Sequence, residues 1–527
     1  LVFADEADTE PLVPLLTSLL QRLRGVRSST WLVVAVACAA TVPAWIVRHP
    51  PVTDWPFHEA TIRVLRSFHD PAYGFDAHYE LKLGNTQYIA YYLIGALLAF
   101  VVGVKAAQVL LVSAYLAGTV LGMRALVLAL GKDERLALLT VPLLYNVLFM
   151  FGLLPFLLGI PAMLFALALT LEQLRAPTLP RGISLALLVV LLFHLHFFPF
   201  GVFALGALLL APWSRPRAFV VYSTPFVPAV LLALRWMFFT DAGKLSSGAL
   251  FDRHAIRPPL QSLNELWRWL LDVAPDDQDE LVFVAFVGVV LLTSALAQGD
   301  RESDEDRAAA GRALGVLPIV CLALYFLLEE GHGYIWIIAQ RFPFLFLLLL
   351  VPMLRMPRGG RAEIATMAAV ALATGAITVT AQRFVRFELE EVGDIDEAIE
   401  QIPARSKVAA LIFDKGSRVV HHTPFLHFGS YAQTAHGGVI QFSYAGYAHW
   451  PFDYRPGAAP PPGGPARLRW EWTPEETNVS GELAGYYDVV LTRGGGFDAD
   501  RNGFRVRYQG NRWAVWERKA PSGAQER

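Results

Sequence analysis

Charge is scarce in this sequence. Asp, Glu, Lys and Arg make up 17% of its 527 residues, whereas 54% of the side chains are hydrophobic. A chain so poor in charge is not one soluble domain and fits a protein that crosses a membrane many times. Cysteine is scarcer still: Cys38 and Cys321 are the only two, each inside an apolar run, so neither a disulfide framework nor a cysteine metal site can be built. A formal net charge of −2 offers no basic face to neutralise phosphates, which excludes a nucleic-acid partner. Phosphate-cradling loops, dinucleotide fingerprints and Gly-x-Ser-x-Gly elbows are also missing, and the enzyme classes built on them go with them.

What the sequence has is apolar runs. Arg22, Arg24 and Arg27 precede the first, at 31–47, and by the positive-inside rule place residues 1–29 in the cytoplasm. No cleavable signal is read, because that first run follows Arg27 and further spans succeed it. Runs at 88–102, 106–130, 136–150, 153–171, 183–210, 218–239, 281–297, 313–328, 342–354 and 364–380 bring the count to about eleven. The fold class is thus a polytopic α-helical membrane protein. Its membrane domain covers 30–382, with outer loops at 49–87 and 240–280. From residue 383 the pattern turns soluble. A helix near 394–401, strands at 407–413 and 487–493 and a terminal hairpin at 504–517 predict an extracytoplasmic α/β domain over 383–527.

The chemistry-bearing residues cluster in the first outer loop. Asp54 follows the first span, with His58 and Glu59 close behind. A carboxylate and an imidazole at this spacing can converge on one substrate. Asp54 would act as a general base toward an acceptor hydroxyl, and His58 or Glu59 would orient it or help hold a divalent metal. The competing assignment makes Asp54 a helix cap and leaves His58 at the interface. His69, Asp70, Asp76 and His78 in the same loop are supporting candidates. His194 and His196 sit within an apolar run, where a polar cavity or a hydrogen bond to a neighbouring helix must satisfy them. Arg341, at the outer end of a span, is placed to hold an anionic group such as a lipid phosphate, or else to snorkel to the interface. His421 and His422 with His427 could bind a metal, but no acidic or cysteine partner stands at a ligand spacing.

Asp54-Trp-Pro-Phe-His58, Phe151-Gly-Leu-Leu-Pro-Phe-Leu-Leu-Gly159, His194-Leu-His196, Arg341-Phe, Tyr487-Asp-Val-Val-Leu and Trp513-Ala-Val-Trp together resemble the GT-C superfamily of polyprenyl-phosphate-sugar glycosyltransferases. The resemblance implies a bacterial inner-membrane protein that moves a sugar from a lipid-phosphate donor to an extracytoplasmic glycan or lipid acceptor. Asp54 would be the base or a metal ligand, and Arg341, with His194 and His196, would line the donor groove. The chain departs from the family pattern in having no acid adjacent to Asp54. A second acidic motif in a later outer loop is not clear, and Asp272, Asp276, Asp277 and Asp279 in the 240–280 loop are candidates for it. A transporter of a lipid-linked glycan and a non-catalytic scaffold are the alternatives; internal repeats, which a transporter often shows, are not evident.

Overall fold

The computed structural model describes residues 27–84, 86–244, 257–297, 305–332, 335–461, 470–479 and 481–520. Arg22 and Arg24 lie outside the described residues. Among the described residues, seven helices are long and apolar enough to cross a membrane: Ser28–Trp45, Val104–Ala129, Leu154–Arg175, Pro216–Phe239, Gln278–Leu296, Glu305–Leu327 and Gly360–Val392. Shorter apolar helices span Ala90–Val102, Leu179–Leu195, Phe197–Leu210 and Ala339–Met353. Leu187, Leu231, Leu291, Ile319 and Met367 are each more than half exposed, as side chains facing lipid would be. The chain is a polytopic helical membrane protein that ends in an α/β domain.

Three of the expected spans differ from the sequence reading. The run at 183–210 is not one tilted helix. Leu179–Leu195 and Phe197–Leu210 meet at His196, whose backbone is extended at φ −168°. Gly182 packs on Gln173, Gly159 on Pro199 and Gly206 on Leu167, so the first helix runs antiparallel to Leu154–Arg175 and the second parallel to it. The run is therefore a helical hairpin that crosses twice, with His196 at its turn.

The run at 88–102 does not cross. Its start lies against His58 through Tyr92, its Phe100 is covered by Arg66, and Lys105, just past its end, sits over the ring of Tyr431 in the C-terminal domain. Both ends of the Ala90–Val102 helix are thus at the face that carries that domain. Length and hydropathy alone do not separate such a helix from a short span.

The run at 136–150 crosses without an α-helix. Glu134–Leu143 is a 3₁₀ helix containing Pro142, and a short helix, Val147–Phe151, follows. Residues 136–150 are all buried, which is the condition for irregular backbone at membrane depth. Among the described residues, the seven long helices, three of the shorter ones and this segment give eleven crossings.

At the end remote from the C-terminal domain, Glu134 accepts hydrogen bonds from Thr30 and Arg124, and Lys132 donates to the Pro352 carbonyl. The opposite end carries a five-stranded sheet in the order Val439–Ile440, Lys407–Ile412, Val489–Arg493, Trp513–Arg518, Phe504–Gln509. The first three strands are parallel and the last two antiparallel to their neighbours. The run of small and β-branched residues at 407–412 suits this position, because a strand with parallel neighbours on both edges is buried on both faces.

The sheet domain is stitched to the first outer loop. Tyr79–Leu81 pairs antiparallel with Phe452–Tyr454, Arg63 Nε donates to the Thr434 carbonyl, and Gln433 Nε2 donates to the Tyr79 hydroxyl. This loop, rather than a solvated surface, is the platform on which the C-terminal domain sits.

The placement of the Ala90–Val102 helix has a direct check. In a background lacking Cys38 and Cys321, a Lys105→Cys variant is expected to react with a membrane-impermeant maleimide from the same side as an Asp500→Cys variant. Labelling from opposite sides would restore a crossing at 88–102.

Candidate active site

A cavity of about 420 Å³ lies where the helical bundle, the first outer loop and the C-terminal domain meet. Asp54, His58, His196 and Arg341 all line it, together with His427, Tyr444, His449, Trp450 and Glu471 from the C-terminal domain. Glu59 and His194 do not. Glu59 is buried beneath Trp55, whose Nε1 donates to it at 2.8 Å, and His194 sits half-buried within its helix.

Asp54 occupies the N-cap position of the helix Trp55–Arg66, with Pro56 in its first turn, yet its side chain does not cap that helix. The carboxylate is free for other partners. Its backbone is held instead: Thr53 and Asp54 N–H groups donate to the carbonyls of Met150 and Phe151 at 2.9 and 3.2 Å. Gly152 makes that approach possible. It terminates the Val147–Phe151 helix at φ +90°, and a Cβ there would stand 2.7 Å from the Asp54 Cβ and 2.8 Å from its nitrogen.

His58 is fully used by the protein. Its Nε2 donates to the Gly152 carbonyl at 2.7 Å and its Nδ1 accepts from the Tyr92 hydroxyl at 3.0 Å. Burial holds its pKa below the usual imidazole value despite the Asp54 charge nearby. The ring is neutral, and it braces the Asp54–Gly152 junction.

His427 sits between two carboxylates. Its Nδ1 lies 2.8 Å from Asp54 Oδ1, an ion-pair contact that falls outside linear hydrogen-bond geometry, and its Nε2 is hydrogen-bonded to Glu471 Oε1. Burial alone would lower the imidazole pKa, but Glu471 and Asp54 more than offset it and push it up to about 10. Burial raises the Glu471 carboxyl, with His427 opposing it. With two carboxylates on it, the imidazole is the member that keeps the proton.

Arg341 forms the other pole. It is 5% exposed, and no carboxylate pairs with it among the described residues. Its Nε donates to the Ile337 carbonyl at 2.6 Å, Nη2 lies 3.4 Å from the Trp336 carbonyl, and Nη1 is 2.8 Å from His196 Nε2. Phe156 and Phe198 cover its faces. Ile337 is held at φ +58°, a conformation β-branched residues avoid, and its carbonyl serves Arg341; strain of this kind concentrates at functional sites. His196 Nδ1 accepts from the Phe198 N–H and so caps the second helix of the hairpin.

A protein-held metal at Asp54 does not fit this donor set. Both nitrogens of His58 are engaged within the protein, and Asp54 and Glu471 approach opposite nitrogens of His427, so these groups cannot converge on one ion. Among the described residues, the one group of carboxylates with converging ligand atoms is Asp272, Asp279 and Glu280. Asp279 there already bonds the Val273 and Ala274 N–H groups and Arg383, Asp276 pairs with Arg383, and Asp272 lies 2.9 Å from His421. None of these acids lines the cavity.

No protein-family model and no curated protein matches this chain. Among solved structures, the chain is similar to ArnT from Cupriavidus metallidurans in the apo state, with 13% identity, 92% of this chain and 97% of that one covered, and a TM-score of 0.45. A likeness this distant assigns no activity. The functional reading therefore rests on the cavity.

The sequence did not point to His427, Glu471, Tyr92 or His449 as site residues. His427 stood beside two other histidines without a visible acid, because Glu471 follows 44 residues later and Asp54 belongs to the other end of the chain.

A Gly152→Ala variant should lose about 1–2 kcal/mol from the left-handed backbone alone. The Cβ contact with Asp54 adds to that loss. The readout is a lowered thermal midpoint in detergent; an unchanged midpoint would mean the junction adapts without strain.

Proposed function

We propose that this protein is a membrane glycosyltransferase-like enzyme that moves a sugar from a lipid-phosphate donor to a hydroxyl acceptor on the side of the membrane carrying the C-terminal domain. The single observation behind this reading is that one cavity holds both a carboxylate, Asp54, and a buried guanidinium, Arg341, that has no carboxylate partner among the described residues. An unpaired buried cation is costly, and an anionic ligand removes the cost. His196 strengthens the case. A neutral imidazole has one acceptor nitrogen, and two donors reach the ring, the Phe198 N–H at Nδ1 and the Arg341 guanidinium at Nε2, so the ring cannot accept from both. A phosphate oxygen at the guanidinium supplies the missing acceptor. The resemblance of the Asp54 and Arg341 segments to polyprenyl-phosphate-sugar glycosyltransferases points to the same ligand.

The reaction then needs one displacement. The acceptor oxygen attacks the anomeric carbon and forms the new C–O bond. The bond from that carbon to the phosphate oxygen breaks, and its electron pair stays on the phosphate beside Arg341. The acceptor's proton goes to the Asp54 carboxylate, and the sugar is transferred with inversion. His58 keeps its neutral bracing role throughout. No resident metal is needed to hold any of these groups.

In a transfer assay with a polyprenyl-phosphate sugar, Asp54→Asn should lower kcat by about 10²–10⁴-fold, the usual contribution of a general base. Arg341→Gln should raise the donor KM. Undiminished turnover in Asp54→Asn would remove it as the base, and an unaltered donor KM in Arg341→Gln would remove the guanidinium from donor binding.

A further inference from the structure

We propose that His427 and Glu471 are positioning residues for Asp54, so that the base is completed only when the C-terminal domain is docked on the helical bundle. This role rests on Asp54 being the base.

The imidazole contacts Asp54 through one nitrogen and Glu471 through the other. It is clamped between aromatic rings, stacked on Phe442 at 5.2 Å with 4° between planes and 5.6 Å from Phe57. A ring so held cannot turn away. His427 therefore fixes the Oδ1 side of Asp54, while no hydrogen bond from the described residues engages Oδ2. One oxygen is anchored and the other is left for the cavity.

The charge count makes Asp54 a ready proton acceptor. Two carboxylates and one imidazolium carry a net charge of −1 in a buried site. When Asp54 takes the acceptor's proton, the three groups become neutral in sum, with the imidazolium–Glu471 pair intact. Proton uptake thus removes the excess buried charge instead of creating one.

Four titratable side chains among the described residues face this trio. His58 approaches from the outer-loop helix as a neutral ring, Tyr92 stands beside Asp54 with its hydroxyl on His58, Tyr444 stands beside Asp54 and Glu471, and Lys415 lies behind Glu471 with its Nζ donating to the Trp472 carbonyl at 3.0 Å. The raised His427 pKa, about 10, agrees with an imidazolium held through the neutral range. The stability it contributes is complete below the unfolded value near 6.5 and is lost as pH rises toward 10.

The test measures transfer and thermal stability of the full-length protein in detergent from pH 6 to 10.5. His427→Gln should lower kcat at least tenfold with the KM for donor and acceptor within about twofold. Glu471→Gln, the milder change, should move the alkaline limb of the kcat profile downward by more than one pH unit, which a merely structural residue would not do. The wild-type melting temperature should fall between pH 7 and 10, and His427→Gln should lose that fall. Wild-type kcat and pH profile in both variants would overturn the proposal. If the wild type transfers no sugar, the function reading fails separately, and the trio is judged on stability alone: the same pH slope in wild type and His427→Gln overturns it.

Discussion

Arg341 is a full positive charge in a protein wall with no carboxylate to meet it among the described residues. The structure supplies backbone carbonyls, the Tyr88 hydroxyl, two aromatic faces and a histidine, none of which is an anion that cancels the charge. Much of the surrounding architecture follows from keeping that group in place. The extended break at His196 sets an imidazole against it, the strained Ile337 turns a carbonyl toward it, and the membrane helix from Phe342 begins at it. Asp54, across the same cavity, has its own counter-ion in His427. The two poles are thus not simply partners of each other, and the space between them is where a ligand carrying an anionic group and a reactive carbon belongs.

The C-terminal domain contributes substance to that space. Tyr444 and Trp450 pack on Phe57 of the outer loop, and the Phe452–Tyr454 strand pairs with the loop's own strand. His427, His449 and Glu471 reach the cavity because these contacts seat the domain. His449 comes close to the Arg341 pole, where burial and then the guanidinium hold its pKa down to about 3 and keep it neutral. A separate sheet domain tethered by a linker would leave the cavity open on that side.

The amphipathic logic of the chain was readable from the residues, but the last long helix, Gly360–Val392, runs on past the change of composition near 383. Eleven crossings were expected and eleven are found among the described residues, but not the same eleven. The run at 88–102 lies along one face and the run at 183–210 crosses twice, so the two differences cancel and the loops after 210 keep their expected ends of the bundle. Hydropathy could not separate these cases, since an apolar run of fifteen residues suits a membrane surface as well as a core, and His196 with Pro199 reads equally as a kink. Asp54, His58, His196 and Arg341 were conspicuous as polar groups at the ends of apolar runs. Glu59 and His194 were equally conspicuous and point elsewhere, because a one-dimensional pattern gives no direction for a side chain. His427 stood out only as one of three neighbouring histidines and Glu471 not at all; only the fold brings them to Asp54, at the other end of the chain.

The central claim is that the cavity holds a lipid-linked phosphate at Arg341 with the transferable group facing Asp54. A density map of the protein in lipid nanodiscs with a polyprenyl-phosphate sugar tests it most directly. The account predicts phosphate density within hydrogen-bond distance of the Arg341 guanidinium and a sugar ring between it and the Asp54 carboxylate. A lipid phosphate bound outside the cavity, with Arg341 contacting only protein, would contradict it.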